Sequence, residues 1–173
     1  MLKYITMQEI ERKFLVHRET FFSRFVTPSI SRSLICQGYM DVKGATVRVR
    51  LYGEKAFLTI KGPSLDGGLS RYEFEREIPV ADAMEMLKLC RGGLIEKTRY
   101  LIPFEGHTFE VDDFHGANEG LLFAEVELGS ADEDFVKPDF LGPEVTGNPH
   151  FYNKHLLKES YPTWKHEIPE AFQ

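Results

Sequence analysis

The sequence predicts an α+β fold in which an antiparallel β-sheet closes around a polar interior, with helices flanking it. Three observations carry this expectation. Strand-like runs repeat a charged-x-charged pattern with apolar residues between: Glu9-Ile10-Glu11-Arg12-Lys13, Arg48-Val49-Arg50, Glu73-Phe74-Glu75-Arg76-Glu77, Lys97-Thr98-Arg99, Glu110-Val111-Asp112 and Glu125-Val126-Glu127. A strand sends alternate side chains to opposite faces, so each run lines one face with charge and backs it with apolar groups. Short glycine-containing turns join several of the runs, as antiparallel hairpins require. One such run reads equally well as a solvated edge strand; its repetition along the chain points to a closed sheet with a charged lining.

The elements follow in order. A first strand is expected at about residues 8–16, then a helical turn over Glu19–Phe25 with Thr20 as its cap. Thr27-Pro28-Ser29-Ile30-Ser31 reads as a loop into a strand at 33–40, and Asp41–Ala45 as a turn. Strands at 46–51 and 56–61 meet through Gly53-Glu54. Gly62-Pro63 to Gly67-Gly68 is a loop, and the next strand spans 70–78. Asp82 is expected to cap a helix in which Ala83, Met84, Leu87 and Cys90 have helical spacing and Gly92-Gly93 marks the end. Strands resume at 94–102, 107–113 and 121–128, the first two joined at Glu105-Gly106-His107, with Gly116–Gly120 as a loop. Asp132–Phe140 and Pro149–Ser160 read as helices, separated by Pro143 and Gly147. The tail Tyr161–Gln173 is poor in apolar residues apart from Trp164 and is expected to be partly mobile.

Composition narrows the class. The 173 residues suit one domain, 1–173, and 42% hydrophobic with 28% charged residues reads as soluble and globular. A formal charge of -6 argues against a nucleic-acid polymer as partner, while leaving room for a local basic cavity. Cys36 and Cys90 have no metal spacing and read as reduced, buried thiols. No run is long enough for a membrane span, and the N-terminal residues lack the apolar run of a signal peptide, so a cytoplasmic location is expected.

The charged positions sort by sign. The acids are Glu9, Glu11, Asp112, Glu125 and Glu127, with Glu73 and Glu75 alongside; the bases are Lys13, Arg48, Arg50, Lys61, Lys97 and Arg99. Carboxylates without histidine or cysteine suit a hard cation, Mg²⁺ or Mn²⁺. Paired arginines suit phosphate oxygens through bidentate hydrogen bonds. A cavity holding both sets is complementary to a metal-bound polyphosphate. The alternative is an interior salt-bridge lattice without a ligand, which burial of ions makes costly. Tyr39 reads as a core residue with a wetted hydroxyl and as a minor site candidate. His107, His115, His150 and His155 are scattered and are assigned no role; Lys154 reads as part of a solvated helix face, with substrate contact as the other option.

Glu9-Ile10-Glu11-Arg12-Lys13 resembles the ExExK signature of the CYTH superfamily, the triphosphate tunnel metalloenzymes, which include class IV adenylate cyclases, thiamine triphosphatases and inorganic triphosphatases. Gln37-Gly38-Tyr39-Met40, Thr46-Val47-Arg48-Val49-Arg50, Thr59-Ile60-Lys61-Gly62-Pro63, Arg71-Tyr72-Glu73-Phe74-Glu75, Lys97-Thr98-Arg99-Tyr100, Glu110-Val111-Asp112 and Ala124-Glu125-Val126-Glu127-Leu128 extend the likeness from residue 8 to about 158. The chain is most similar to the short, single-domain bacterial members. The resemblance implies an eight-stranded antiparallel β-barrel, the triphosphate tunnel. It implies that Glu9, Glu11, Asp112, Glu125 and Glu127 hold metal and that Lys13, Arg48, Arg50, Lys61 and Arg99 grip phosphate, with Lys97 beside them. Glu9, Glu11, Lys13 and Lys97 are the catalytic candidates, and Tyr39, Glu73 and Glu75 are secondary ones. The expected activity is hydrolysis of an inorganic or organic triphosphate, one metal orienting the substrate and a second activating water. Two other readings stay open: a class IV-type adenylate cyclase making cyclic AMP and pyrophosphate, and a non-catalytic polyphosphate- or nucleotide-binding module. The partner is a small triphosphate, with no membrane and with a monomer or homodimer as the assembly.

Overall fold

The structure, a computed structural model, describes residues 10–62 and 73–173. Among the described residues nine strands, one more than the eight expected, form an antiparallel sheet in the order β5-β4-β3-β2-β6-β7-β8-β1-β9, not a closed barrel. The strands are β1 (Ile10–Val16), β2 (Ser31–Met40), β3 (Thr46–Tyr52), β4 (Lys55–Lys61), β5 (Glu73–Ile78), β6 (Ile95–Phe104), β7 (His107–Phe114), β8 (Leu122–Leu128) and β9 (Leu141–Glu144). The helices are α1 (Arg18–Arg24), α2 (Val80–Leu87), α3 (Asn153–Leu156) and α4 (Tyr161–Trp164), with short 3-10 turns between the later elements. Chain contacts divide the described residues into two compact units. One runs over Cys36–Leu94, and the other joins Ile10–Ile35 to Ile95–Gln173. No helix among the described residues is long and apolar enough to cross a membrane.

In the first unit, β3 and β4 form the hairpin expected at Gly53-Glu54, with Tyr52 opposite Lys55. Gly53 takes φ +57°, a conformation that a Cβ would strain. Val49, Ala56, Ala83 and Leu87 form the core here, with Cys36, Met40, Leu51, Leu58, Ile78, Met86 and Cys90 packed against it. Helix α2 therefore covers the apolar side of this sheet. Its first turn closes from Ala83 N–H to the Pro79 carbonyl at 3.1 Å, so Pro79 is the N-cap. Asp82, expected to be the cap, lies inside the first turn, where its charge complements the helix dipole. Cys36 and Cys90, expected to be buried, are half-buried.

In the second unit, β6 and β7 meet at Glu105-Gly106, both at positive φ (46° and 85°), with Phe104 opposite His107. Two positive-φ residues in a two-residue loop match the right-handed strand twist. Phe14, Phe21, Tyr100, Ile102, Phe109, Val111, Leu122, Ala124, Val126, Leu128 and Phe140 are among the buried residues of the main core. Helix α1 starts at Arg18, one residue before the expected Glu19: Phe21 N–H donates to the His17 carbonyl at 2.9 Å, so His17 and not Thr20 is the N-cap.

Three stretches differ from the sequence expectation. Asp132–Phe140 is not helical. Pro138 has no N–H and restrains the residue before it, and the Phe135 and Phe140 rings pack edge-on against Phe109 at 5.9 and 6.1 Å. The next residues form β9, a strand the sequence pattern concealed because Pro143 interrupts it. Among the described residues it pairs only with β1, an edge position where proline is tolerated. The helix expected over Pro149–Ser160 is broken at Tyr152, whose backbone is extended (φ -97°, ψ 127°). The tail is packed: Tyr161, Trp164 and Ile168 are buried in a second cluster with Leu15, Phe114, Phe123, Phe151 and Leu156.

Close packing around Gly38 gives a test of the first unit. A Cβ there would lie 2.7 Å from Cys90 Cβ and 2.8 Å from a Leu94 methyl. Gly38→Ala is expected to cost about 1–3 kcal/mol in urea unfolding through overpacking; an unchanged midpoint would contradict the packing described.

Candidate functional site

Register places the charges of the second unit on one face. Cross-strand partners are Glu11 with Glu127, Lys13 with Glu125, Glu110 with Glu125, and Arg99 with Asp112. Alternation sends Phe14, Val111, Ala124 and Val126 to the opposite, apolar side, where they join the main core. The charged face is thus built by the same periodicity that builds the core.

Asp112 lies deepest, with no exposure. Its Oδ1 accepts from Arg99 Nε and its Oδ2 from the other arm of the guanidinium, each at 2.7 Å, a bidentate pair. Lys97 Nζ donates to the same Oδ2 at 2.5 Å and to Asn153 Oδ1 at 3.3 Å. Burial pushes the Asp112 carboxyl up, but Lys97 and Arg99 outweigh it and hold it at about 2. Burial dominates at Lys97: its ammonium is pushed below the ordinary range, with Asp112 offsetting only part of the effect. Burial also pushes Arg99 down, and Asp112 with Glu110 and Glu125 more than reverses it, so the guanidinium stays charged.

Lys13 is the next element of the network and is 4% exposed. Its Nζ pairs with Glu125 and lies 3.1 Å from Glu11 Oε1, and it sits 5.4 Å from the centre of the Tyr152 ring. Burial lowers its pKa, but Glu125 and Glu11 raise it further, so the net direction is upward. Glu125 also accepts from Arg99 at 3.3 Å, linking the two clusters. Glu110 pairs with Arg99, and burial keeps its carboxyl above the usual range despite that cation.

Glu11 and Glu127 are directly opposite like charges, which repel across a strand pair. Lys13 compensates Glu11, whereas Glu127 makes no ion pair among the described residues. Oxygen donors with uncompensated negative charge fit a hard divalent cation.

The first unit carries its own network. Register aligns Arg48, Thr59 and Glu75 in one row and Thr46, Lys61 and Glu73 in the next. Arg48 donates to Thr59 Oγ1 at 3.1 Å and to Glu75 Oε2 at 3.2 Å, and Thr59 donates to the same carboxylate at 2.6 Å. Arg50 reaches Glu75 at 3.5 Å, and Lys61 lies 3.0 Å from Glu73. Burial raises the Glu75 pKa, but the Thr59 hydroxyl and the two arginines outweigh it and hold it below the usual range. Burial pushes the Tyr39 phenol up, partly offset by Arg48 and Arg50; its oxygen accepts from Gln37 at 3.1 Å. Arg48 Nε is buried without a hydrogen-bond partner among the described residues, an orphaned donor that fits an anion.

The predicted residues therefore fall into two networks: Glu11, Lys13, Lys97, Arg99, Asp112 and Glu125 in the second unit, with Glu127 beside Glu11, and Tyr39, Arg48, Arg50, Lys61, Glu73 and Glu75 in the first. Glu9, Arg71 and Tyr72 lie outside the described residues. Sequence reasoning did not single out Glu110, Thr59, Tyr152 or Asn153. Glu110 was detectable from alternation, two residues before Asp112, and Thr59 likewise, two before Lys61. Tyr152 and Asn153 gave no signal, because a helix–coil junction carries no period.

An antiparallel sheet with alternating acids and bases on its strands defines a class of phosphate-handling folds, and comparison with known proteins makes the class specific. The sequence model of the CYTH domain matches residues 7–146. The chain is 45% identical over 161 residues to an inorganic triphosphatase of Acetivibrio thermocellus, covering 91% of this chain and 98% of that protein. It is 36% identical over 156 residues to an inorganic triphosphatase of Nitrosomonas europaea, covering 87% and 97%. A crystal structure of an inorganic triphosphatase superposes with a TM-score of 0.65 at 31% identity, covering 87% of this chain and 95% of the other. The chain belongs to the CYTH domain family.

The buried clamp around Asp112 gives a signed pH test. Its folded pKa lies below the ordinary value of about 3.9, so its stabilisation is present above about pH 4 and is lost as pH falls toward 2. Asp112→Asn is expected to cost about 3–5 kcal/mol at neutral pH, with the gap to the parent protein narrowing on acidification. Urea unfolding across pH measures this, and a gap independent of pH would contradict the depressed pKa.

Proposed function

We propose that the protein is a triphosphatase dependent on Mg²⁺ or Mn²⁺, cytoplasmic, with inorganic tripolyphosphate as its preferred substrate. The observation that carries this assignment is Lys13, clasped by Glu11 and Glu125 on the ExExK strand, in a chain so similar to two inorganic triphosphatases over nearly its whole length.

In this assignment Glu9, Glu11, Glu125 and Glu127 hold metal. Asp112 completes the ligand set; its oxygens are engaged by Lys97 and Arg99, as those of Glu125 are by Lys13 and Arg99, so these two carboxylates also anchor the cations. Arg48, Arg50, Lys61, Lys13 and Arg99 bind phosphate oxygens, with Tyr39 beside the arginines. Glu75 and Glu73 hold Arg48 and Lys61 in place until substrate arrives. Lys97 positions Arg99 through Asp112 and is kept as a catalytic candidate on its depressed pKa.

Hydrolysis breaks one terminal P–O–P bond. The oxygen of water forms the new bond to the terminal phosphorus, pyrophosphate leaves, and the proton passes to solvent or a carboxylate. A triphosphate repels attack at every face, so fixed cations on its oxygens provide most of the acceleration. A bound divalent ion supplies further charge neutralisation and activation of water. Glu110, with its raised pKa beside Arg99, is placed to hold a proton.

The test is release of phosphate and of cyclic AMP from tripolyphosphate, thiamine triphosphate and ATP with either metal. Fast phosphate release from tripolyphosphate with little ATP turnover is the expected result. Cyclic AMP with pyrophosphate would make the protein a cyclase, and binding without turnover would leave a polyphosphate-binding module. Glu11→Gln is expected to abolish metal-dependent turnover in a folded protein, and Arg48→Ala to reduce kcat by about 10²–10³-fold. Full turnover in Glu11→Gln would sink the metal assignment.

A further inference from the structure

The C-terminal segment carries nitrogen donors that triphosphate chemistry does not use. Ligand atoms of His150, His155 and Glu159 all lie within 4.8 Å of one another. The backbone places each of them. Asn148 Oδ1 accepts the His150 N–H at 3.1 Å. Glu159 N–H donates to the His155 carbonyl at 3.0 Å, a helical turn that puts these two side chains on one face. Trp164 braces two of the three: its ring stacks on His150 at 4.5 Å and 28°, and its Nε1–H donates to the Glu159 carbonyl at 3.2 Å.

The His150 ring is oriented for a ligand. Glu167 Oε2 lies 3.4 Å from His150 Nε2. The other nitrogen, Nδ1, is buried and has no hydrogen-bond partner among the described residues. It lies 4.0 Å from Glu159 Oε2, which is 3.2 Å from His155 Nε2. A carboxylate beside the far nitrogen of an imidazole whose near nitrogen lacks a hydrogen-bond partner among the described residues is the arrangement that supports metal-bound histidines. An ion at this point would give the orphaned Nδ1 its partner, and the exposed Glu159 side chain has the freedom to close on it.

We propose that His150, His155 and Glu159 bind one transition-metal ion of the zinc class (Zn²⁺, Co²⁺ or Ni²⁺), pinning the C-terminal segment. Two imidazoles and a carboxylate select such ions over Mg²⁺, which takes oxygen donors. The site has consequences for the charged face of the same unit. Asn153, on α3 with His155, accepts from Lys97, and the Tyr152 ring lies over Lys13. An ion held by flanking residues restrains the segment that touches both lysines.

The test uses the untagged full-length protein with excess Mg²⁺ to occupy oxygen-ligand sites. Co²⁺ is titrated by visible absorption and Zn²⁺ by calorimetry, for the parent, His155→Gln and Glu167→Gln. Glutamine at 155 retains a polar partner for Glu159, and a melting curve without metal establishes that each variant is folded. The expected result is one ion per chain with nitrogen-ligand Co²⁺ absorption, at least about tenfold weaker binding in His155→Gln, and about 10–100-fold weaker binding in Glu167→Gln. Zn²⁺ raises the melting temperature of the parent but not of His155→Gln. Absence of binding in the parent, or equal affinity in all three folded proteins, would overturn the proposal.

Discussion

A carboxylate as deeply buried as Asp112 persists only with cations against it, and two are supplied from one neighbouring strand. Lys97 and Arg99 sit two residues apart on β6, so alternation delivers both to the same face of the sheet. Arg99 then reaches Glu110 and Glu125, and Glu125 reaches Lys13. The charged face of this unit is one connected ion network with Asp112 at its base. Removing the base would take from buried Lys97 its ion-pair partner and leave Arg99 with Glu110 and Glu125 alone, a larger penalty than the loss of any surface pair. A network of this kind is a poor route to stability, since apolar residues of similar volume would pack at lower cost. Its retention in a buried face is therefore best explained by what the charges bind.

The two units solve the same problem with different residues. In the first, a single carboxylate, Glu75, collects Arg48, Arg50 and Thr59, leaving the buried Nε of Arg48 without a hydrogen-bond partner among the described residues. In the second, acids outnumber the cations they surround, and Glu127 stands beside Glu11 with no ion pair among the described residues. Surplus donors suit an anion such as phosphate and surplus carboxylates suit a divalent cation, and the proposed function uses both. The chemistry assigned to this CYTH family member follows from that division of charge.

Much of this was legible in the sequence because strand periodicity is strict. A period of two fixes which residues share a face, and the hairpins at Gly53-Glu54 and Glu105-Gly106 fix register. That is why Lys97, Arg99 and Asp112 could be grouped before any contact was known. Features set by tertiary packing were not legible. Asp132–Phe140 has a composition compatible with helix, yet two of its phenylalanines are drawn into the core and Pro138 breaks the hydrogen-bond ladder. Short β9 hides behind Pro143 because its only requirement is an edge of β1. The tail looked too polar to pack, but three residues, Tyr161, Trp164 and Ile168, suffice to anchor it. His150 and His155 looked scattered because their proximity depends on the extended break at Tyr152, which no local pattern announces.

The most direct measurement is a crystal structure with tripolyphosphate and Mn²⁺, with the metal located by its anomalous signal. Phosphate oxygens on Arg48 and Lys61 and a manganese peak on the carboxylates of Glu11 and Glu127 are the expected result. Manganese away from these carboxylates, or tripolyphosphate bound without contact to the arginines, would contradict it.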